Sequence, residues 1–151
     1  MDLSEINLLK NLTLLLVEDD EELRDDLKDT LSIFLKNIFT AKNGKEALEI
    51  FTKYKPDLIL TDYVMPLLDG YELCKEIRKT NKKIPLIIMS NYSDKEKLLK
   101  SISLELSDYL VKPIEYNQLK NALLSMAEKF SRENNLSYFK QIGRASCRER
   151  V

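Results

Sequence analysis

The chain has 151 residues, of which 44% are hydrophobic and 32% are charged, a length and composition that suit one globular domain with a sizeable core. Its net charge of −1 does not indicate nucleic-acid binding through charge, and no apolar stretch predicts a membrane span or a signal peptide, so we expect a cytoplasmic protein. Histidine is absent, which excludes Ser-His-Asp triads, His-ligated zinc and a phosphohistidine carrier within this chain.

Five short apolar segments alternate with amphipathic segments along the chain. The predicted strands are 13–17, 38–41, 58–61, 85–89 and 109–111. Apolar residues then recur at helical spacing, as Leu23, Leu27 and Leu31 do, and the last two helices should begin at a Ser93 N-cap and near Glu115. The strands lack polar alternation, which is typical of a sheet buried on both faces. This pattern predicts an α/β fold, a parallel sheet with helices on both faces.

The chain is predicted to contain one domain with short flanking segments. We expect a leader at 1–12, the domain at 13–130, and an extension of the last helix or the start of a linker at 131–141. The string IGRASCRERV at 142–151 is Arg-rich, has no apolar period, and is what a common short-read sequencing adapter encodes in one reading frame. Our hypothesis is that this string is an artefact, and the alternative is a disordered basic tail.

Polar side chains follow the carboxyl ends of the predicted strands, which meet at one edge of a parallel sheet and form the usual ligand site of such folds. They are Glu18, Asp19 and Asp20 after the first strand, Asp62 after the third, Ser90 after the fourth, and Lys112 with Pro113 after the fifth. We therefore expect the functional site at this edge. Asp20, Glu21 and Glu22 are interpreted as acids that stabilise a helix start rather than as metal ligands.

The carboxylates at this edge predict a metal site, because they repel one another unless a cation neutralises them. Oxygen ligands without His or Cys select a hard cation, and a sparse set completed by water suits Mg²⁺ better than Ca²⁺. A carboxylate beside Mg²⁺ can accept a phosphoryl group. Lys112 would add a second positive charge, and the Ser90 hydroxyl could donate to a phosphoryl oxygen.

Four segments, in this order and spacing, resemble the receiver domain of two-component response regulators: LLLVEDDEELR, PDLILTDYVMPLLDG, PLIIMSNYS and DYLVKPI. The resemblance covers roughly 11–130. It implies a flavodoxin-like, doubly wound, five-stranded sheet of order 2-1-3-4-5. It also implies a phosphorylation-activated switch, which accepts a phosphoryl group from a sensor histidine kinase or a phosphotransfer protein with the help of Mg²⁺.

The family motifs assign a role to each matched residue. By this resemblance Asp62 is the phosphoacceptor, Asp19 binds the metal directly, and Glu18 acts mainly through water. The backbone carbonyl of Val64 completes the protein ligands of the metal, and Ser90 is the switch hydroxyl.

The last matched segment carries the lysine and the second switch residue. The resemblance makes Lys112 the family's lysine, with a cis bond to Pro113. Tyr109 matches the aromatic residue that turns inward on activation, although plain packing remains the alternative. In the family, the face of the fourth helix, fifth strand and fifth helix then changes shape, and a partner or an output domain reads it.

Several positions depart from the family pattern. Asn91 replaces a small residue, and Val64 and Tyr92 flank the route of water to the phosphoaspartate, so we expect slow self-dephosphorylation. Glu105 and Leu106 replace Gly-Ala, so the turn before the last strand should differ from the family's.

The whole protein remains open at this level. We favour the N-terminal part of a longer response regulator, such as a DNA-binding transcriptional regulator, with a stand-alone receiver or a phosphorylation-independent interaction module as alternatives. Only Asp108 and Lys129 match the charged ladder through which such regulators dimerise, which leaves a phosphorylation-dependent dimer in question. A Mg²⁺-dependent phosphatase would need an acid at Val64, and a flavodoxin-like cofactor carrier would need a phosphate cradle in place of the first acids.

Overall fold

Five parallel strands form one sheet in the computed structural model, which describes residues 3–91, 99, 101–106 and 108–133. The strands are β1 Thr13–Val17, β2 Asn37–Ala41, β3 Leu58–Asp62, β4 Leu86–Ser90 and β5 Asp108–Val111. Their order is β2-β1-β3-β4-β5, and each neighbouring pair is parallel. The predicted α/β fold, its strand order and its five strand positions are confirmed.

Helices cover both faces of this sheet. They are α1 Leu3–Lys10, α2 Glu21–Leu31, α3 Gly44–Tyr54, α4 Gly70–Thr80 and α5 Tyr116–Glu133, with a 3₁₀ turn at Ser101–Leu104. None of the helices in the described part of the chain combines the length and apolar character that a bilayer-spanning helix needs. Tyr92, the Ser93 N-cap and the segment 142–151 lie outside the described residues.

The core has two layers because successive side chains of a strand point to opposite faces. In β1, Leu14 and Leu16 face the layer of α1, α2 and α5, whereas Leu15 and Val17 face the layer of α3 and α4. All five residues of β3 and of β4 are buried. Double-sided burial therefore explains the absence of polar alternation in the sequence.

The leader contains a helix, α1, which the sequence did not lead us to expect. Its Leu9 is fully buried and its Leu8 is 6% exposed, and both belong to the same cluster as the apolar residues of α2 and α5. The packed structure therefore begins before the predicted domain boundary at residue 13.

Side-chain caps fix where the helices begin. Asp20, Asn43 and Asp69 each accept a hydrogen bond from the backbone N–H three residues later, at 3.1, 2.8 and 2.8 Å. The first of these confirms the structural interpretation of Asp20. Asn43 is followed directly by Gly44, the first residue of α3.

The turn into β5 has a backbone conformation that favours glycine, although Glu105 occupies the position. Glu105 adopts a left-handed backbone conformation with φ 53°. Its carbonyl accepts hydrogen bonds from Arg78 Nη2 at 3.1 Å and Lys129 Nζ at 2.8 Å. Arg78 also donates to the carbonyls of Leu104 and Ile84, both at 2.7 Å. The side chains of Arg78 and Lys129 thus hold a turn that a glycine would adopt without strain.

Candidate functional site

The carboxyl edge of the sheet brings the candidate residues together. Asp62 and Ser90 are the last residues of β3 and β4, and Glu18 and Lys112 directly follow β1 and β5. Backbone hydrogen bonds extend the pairing past the strand ends: Lys112 N–H donates to the Ser90 carbonyl at 2.8 Å, and Glu18 N–H to the Ala41 carbonyl at 3.1 Å. The positions of these side chains therefore follow from the register of the sheet.

Three carboxylates form a compact cluster at this edge. Glu18, Asp19 and Asp62 each offer an oxygen atom, and these atoms lie within 4.8 Å of one another. Lys112 Nζ lies 2.7 Å from Glu18 Oε1 and 3.2 Å from Asp62 Oδ2. Glu18 and Asp62 are buried, whereas Asp19 is exposed. Acids from two strands and a lysine from a third thus share one crevice.

This crowding shifts the proton affinity of the central groups. Burial raises the pKa of Asp62 from 3.8 to about 7, the nearby charge of Glu18 adds to the rise, and Lys112 opposes it. Burial by itself would lower the pKa of Lys112, but its hydrogen bond to Glu18 and the charge of Asp62 hold that pKa above its ordinary value. The positive charge of Lys112 therefore does not fully offset the effects of burial and of Glu18 on Asp62.

The cluster fits a small divalent cation. Its ligands are oxygen atoms from buried and exposed carboxylates, and a cation would offset both the burial of the Asp62 charge and its repulsion with Glu18, which raise the pKa of Asp62. Val64 lies two residues beyond Asp62 in the loop after β3, and its side chain is 51% exposed. Because the side chain of Val64 is apolar, only its backbone carbonyl could bind a cation.

Two further candidate residues occupy contrasting environments. Ser90 is 1% exposed, and its hydroxyl has no hydrogen-bond partner among the described residues. A buried hydroxyl without a partner is uncommon and calls for an explanation. Tyr109, in β5, is 53% exposed, so its ring lies outward in this structure.

The loop that follows Asp62 is held by a close backbone approach. Gly70 N–H donates to the Tyr63 carbonyl at 2.7 Å. A Cβ at Gly70 would overlap the carbonyl oxygen of Asp62, so only glycine fits this position. The bond between Lys112 and Pro113 is cis, as the resemblance implied.

An open pocket of about 410 Å³ adjoins the acid cluster. Its lining residues are Leu23, Asn91, Lys112, Pro113 and Ile114. A cleft of about 500 Å³ also exists, but its lining includes Pro56 and Ile84, which precede β3 and β4. That cleft therefore lies at the opposite edge of the sheet, away from the acids.

Arg24 is a residue of this site that the sequence analysis missed. It lies on α2, and its Nη1 donates a hydrogen bond of 2.8 Å to the backbone carbonyl of Glu18. The available signal was its position, since an arginine in the second turn after an acidic loop can reach back to that loop.

Comparisons with known proteins agree with this geometry. The family model described as the response regulator receiver domain matches residues 14–124. The probable transcriptional regulator ycf27 of Porphyridium aerugineum is 35% identical over 126 residues, which are 82% of this chain and 52% of that protein. The transcriptional regulatory protein AfsQ1 of Streptomyces coelicolor is 30% identical over 122 residues, 81% of this chain and 54% of that protein. The chain spans about half the length of these curated relatives.

Solved structures share the fold. The two component transcriptional regulator AraC from Clostridium phytofermentans superposes with a TM-score of 0.76 at 32% identity, covering 83% of this chain and all (100%) of that one. A response regulator receiver domain protein from Clostridium thermocellum gives a TM-score of 0.74 at 25% identity, covering 82% and 97%. The matched segment shows the family, and the sheet order and the acid cluster agree with it. The chain belongs to the family of response regulator receiver domains.

Proposed function

We propose that this domain is a phosphorylation-activated switch in which Asp62 accepts a phosphoryl group with the help of Mg²⁺. The observation that carries the proposal is the meeting of Asp62 with Glu18, Asp19 and Lys112 in one crevice, supported by membership of the receiver family. The chain contains no histidine and needs none for this function, because the donor would be a phosphohistidine on a sensor kinase or a phosphotransfer protein.

Each residue of the crevice has a distinct part in the proposed transfer. Asp19, Asp62 and the Val64 carbonyl would hold the metal directly, and Glu18 would hold it through water. Bound Mg²⁺ would supply charge neutralisation and fix the orientation of the phosphoryl oxygens. An Asp62 oxygen forms the new bond to phosphorus, while the bond from phosphorus to the donor nitrogen breaks and its electron pair stays on the imidazole.

Lys112 and Ser90 would stabilise the product of this transfer. The Lys112 ammonium already lies 3.2 Å from Asp62, where it can pair with a phosphoryl oxygen. The Ser90 hydroxyl, which has no hydrogen-bond partner within the described part of the chain, would gain a hydrogen bond to the phosphoryl group. Movement of Ser90 toward that group would make room for Tyr109 to turn inward from its exposed position.

The rest of the proposal concerns the whole protein. Because curated relatives of about twice this length are named as transcriptional regulators, we propose that the domain controls a DNA-binding output domain in the cytoplasm. The output would read the face that contains β5 and α5. The Lys129 ammonium is bonded to the Glu105 carbonyl, and the Asp108 carboxylate accepts from the Tyr109 N–H at 2.8 Å, so a charged-ladder dimer would have to displace both contacts.

We also propose that the phosphorylated state decays slowly. The apolar side chain of Val64 is half exposed beside Asp62, where it would hinder an attacking water. The Val64→Asn variant should therefore lose its phosphoryl group several-fold faster than the wild type in a decay assay followed by intact mass. Equal decay rates would show that Val64 does not hinder the attacking water. Tyr92, the second residue expected to slow the decay, lies outside the described part of the chain.

The main proposal is tested by intact mass after incubation with a small acyl phosphate, with and without Mg²⁺. We expect the wild type to gain one phosphoryl group only when Mg²⁺ is present, and Asp62→Asn to gain none. Asp29→Asn, an exposed carboxylate on α2, is the matched control and should react like the wild type. Modification of Asp62→Asn at the wild-type rate would refute the assignment.

A further inference from the structure

Arg24 holds the backbone of the acid-bearing loop, and we propose that it is a positioning residue for the metal site. Its Nη1 donates a 2.8 Å hydrogen bond to the Glu18 carbonyl in a partly buried setting. This inference rests on the proposed function, because it concerns how well the acids of the crevice bind Mg²⁺. Arg24 would act through the loop alone and not by contact with the phosphoryl group or the metal.

The Glu18 carbonyl needs this partner because it lies past the end of the sheet. β1 ends at Val17, which is in register with Ala41 of β2 and Thr61 of β3. Glu18 continues the pairing through its N–H only, which donates to the Ala41 carbonyl at 3.1 Å. The chain then turns away from the sheet, and the guanidinium of Arg24 takes the place of a strand neighbour.

This carbonyl belongs to the peptide group that joins Glu18 to Asp19. The Glu18 carboxylate is already held from two sides, by Lys112 Nζ at 2.7 Å and by the Asp20 N–H at 3.1 Å. The Asp19 carboxylate is exposed, and no described residue donates a hydrogen bond to it. The Asp19 carboxylate is therefore positioned mainly through its backbone, and the peptide group that precedes it accepts the hydrogen bond of Arg24.

Arg24 is itself firmly anchored. Its N–H donates to the Asp20 carbonyl at 2.8 Å, and the Asp20 side chain caps α2 by accepting from the Leu23 N–H at 3.1 Å. The acidic loop and the start of α2 thus form a closed ring, in which the backbone leads from Glu18 to Arg24 and the guanidinium returns to Glu18. This ring restrains the backbone from which the Asp19 side chain projects, and an oxygen of Asp19 lies within 4.8 Å of one of Asp62.

Positioning and simple electrostatics predict opposite effects for the loss of Arg24. If Arg24 acted only as a positive charge near the acids, its removal would strengthen the binding of a cation. If it positions Asp19, its removal weakens that binding, and the loss of partners that orient metal ligands typically costs about tenfold or more in affinity. The sign of the change in Mg²⁺ affinity therefore separates the two explanations.

The experiment compares Arg24→Met, which keeps much of the aliphatic stem but has neither the charge nor a donor, with Arg24→Lys, which keeps the charge and one donor group. Lys28→Met is the matched control, because it removes the same charge from an exposed position one turn later on α2. Mg²⁺ affinity is measured by isothermal titration calorimetry, and stability by thermal unfolding without metal. We expect about tenfold weaker binding for Arg24→Met, a smaller loss for Arg24→Lys, and no loss for Lys28→Met.

The rate of phosphorylation by an acyl phosphate gives a second readout. In Arg24→Met the Mg²⁺ concentration for half-maximal rate should rise about tenfold, while the rate at saturating Mg²⁺ stays close to that of the wild type. Unchanged or tighter Mg²⁺ binding by Arg24→Met would overturn the inference, even if its unfolding temperature fell. If Arg24→Met does not fold, Arg24→Lys decides: because it keeps the charge, weaker Mg²⁺ binding supports positioning and unchanged binding overturns it. Failure of the wild type to bind Mg²⁺ would instead refute the proposed function, which keeps the two outcomes distinct.

Discussion

Asp62 carries an unfavourable charge in the metal-free protein. It is 6% exposed, and it faces Glu18 in a crevice where Lys112 is the positive partner of both carboxylates. Burial and the charge of Glu18 together raise the pKa of Asp62 to about 7. The residue that the proposed function needs most is therefore one that weakens the fold, which is common at functional sites.

Replacing Asp62 should stabilise the metal-free protein. We expect Asp62→Asn to raise the free energy of unfolding at pH 8 by about 2 kcal/mol, because it removes a buried charge and its repulsion with Glu18. The pKa of Asp62 is higher in the folded than in the unfolded chain, so the contribution of Asp62 to stability is least unfavourable below pH 3.8 and becomes more unfavourable as the pH rises to about 7. The advantage of Asp62→Asn should shrink over the same window as the pH is lowered.

Urea unfolding at several pH values measures this effect. Asp29→Asn, an exposed carboxylate of α2, should have little effect at any pH. Mg²⁺ should stabilise the wild type and reduce the gap between it and Asp62→Asn. Destabilisation by Asp62→Asn at pH 8 without metal would contradict the electrostatic account.

At the scale of the elements, the turn into β5 carries backbone strain that its neighbours offset. Glu105 has a left-handed φ of 53°, and α4 and α5 contribute Arg78 and Lys129 to its carbonyl. The 3₁₀ turn at Ser101–Leu104 is held to α4 in the same way, through the bond from Arg78 to the Leu104 carbonyl at 2.7 Å. Arg78 and Lys129 both donate to backbone carbonyls, so the side chain of Glu105 is not required for these contacts.

A glycine at this turn should therefore stabilise the domain. Glu105→Gly keeps the carbonyl and its two donors and removes the cost of a left-handed conformation, so we expect a gain of about 1 kcal/mol in the free energy of unfolding. Glu49→Gly makes the same change at an exposed position inside α3 and should instead cost about 1 kcal/mol. Urea unfolding of both variants tests this, and a loss of stability in Glu105→Gly would show that the turn is not strained.

At the scale of the whole molecule, α1 joins the leader to the core. Leu9 of α1 is fully buried in the cluster that α2 and α5 build on one face of the sheet. The family match begins at residue 14, so this helix is an addition in front of the matched domain. It lies in the layer that holds α5, on the side of the sheet opposite α3 and α4.

Truncation of Leu9 should show how much α1 contributes to the stability of the domain. Leu9→Ala should lower the free energy of unfolding by about 2–4 kcal/mol, because it removes buried methyl groups from a packed cluster. Ile33→Ala removes a comparable side chain that is 65% exposed, and it should cost far less. Chemical denaturation measures both, and equal effects would mean that α1 does not pack as described.

The sequence predicted the sheet well for a physical reason. The strands are buried on both faces, so their apolar runs stand out, and the observed strands agree with the predicted ones to within one residue at each end. The acid cluster was also predictable, because parallel strands place residues such as Asp62 and Ser90 at a common edge.

Other features depend on three-dimensional contacts that no local pattern records. α1 was missed because Leu8 and Leu9 alone do not establish a helical period, and their burial depends on α2 and α5. The role of Arg24 depends on a backbone carbonyl, which the sequence does not display.

The proposed function depends on phosphorylation of Asp62 itself. Treatment of the wild-type protein with an acyl phosphate and Mg²⁺, reduction of the product with borohydride and peptide sequencing by mass spectrometry locate the modified residue. Borohydride converts an aspartyl phosphate to homoserine, so we predict homoserine at position 62 only in the sample that contained both reagents. Homoserine at another aspartate, or none with Asp62 intact, would contradict the account.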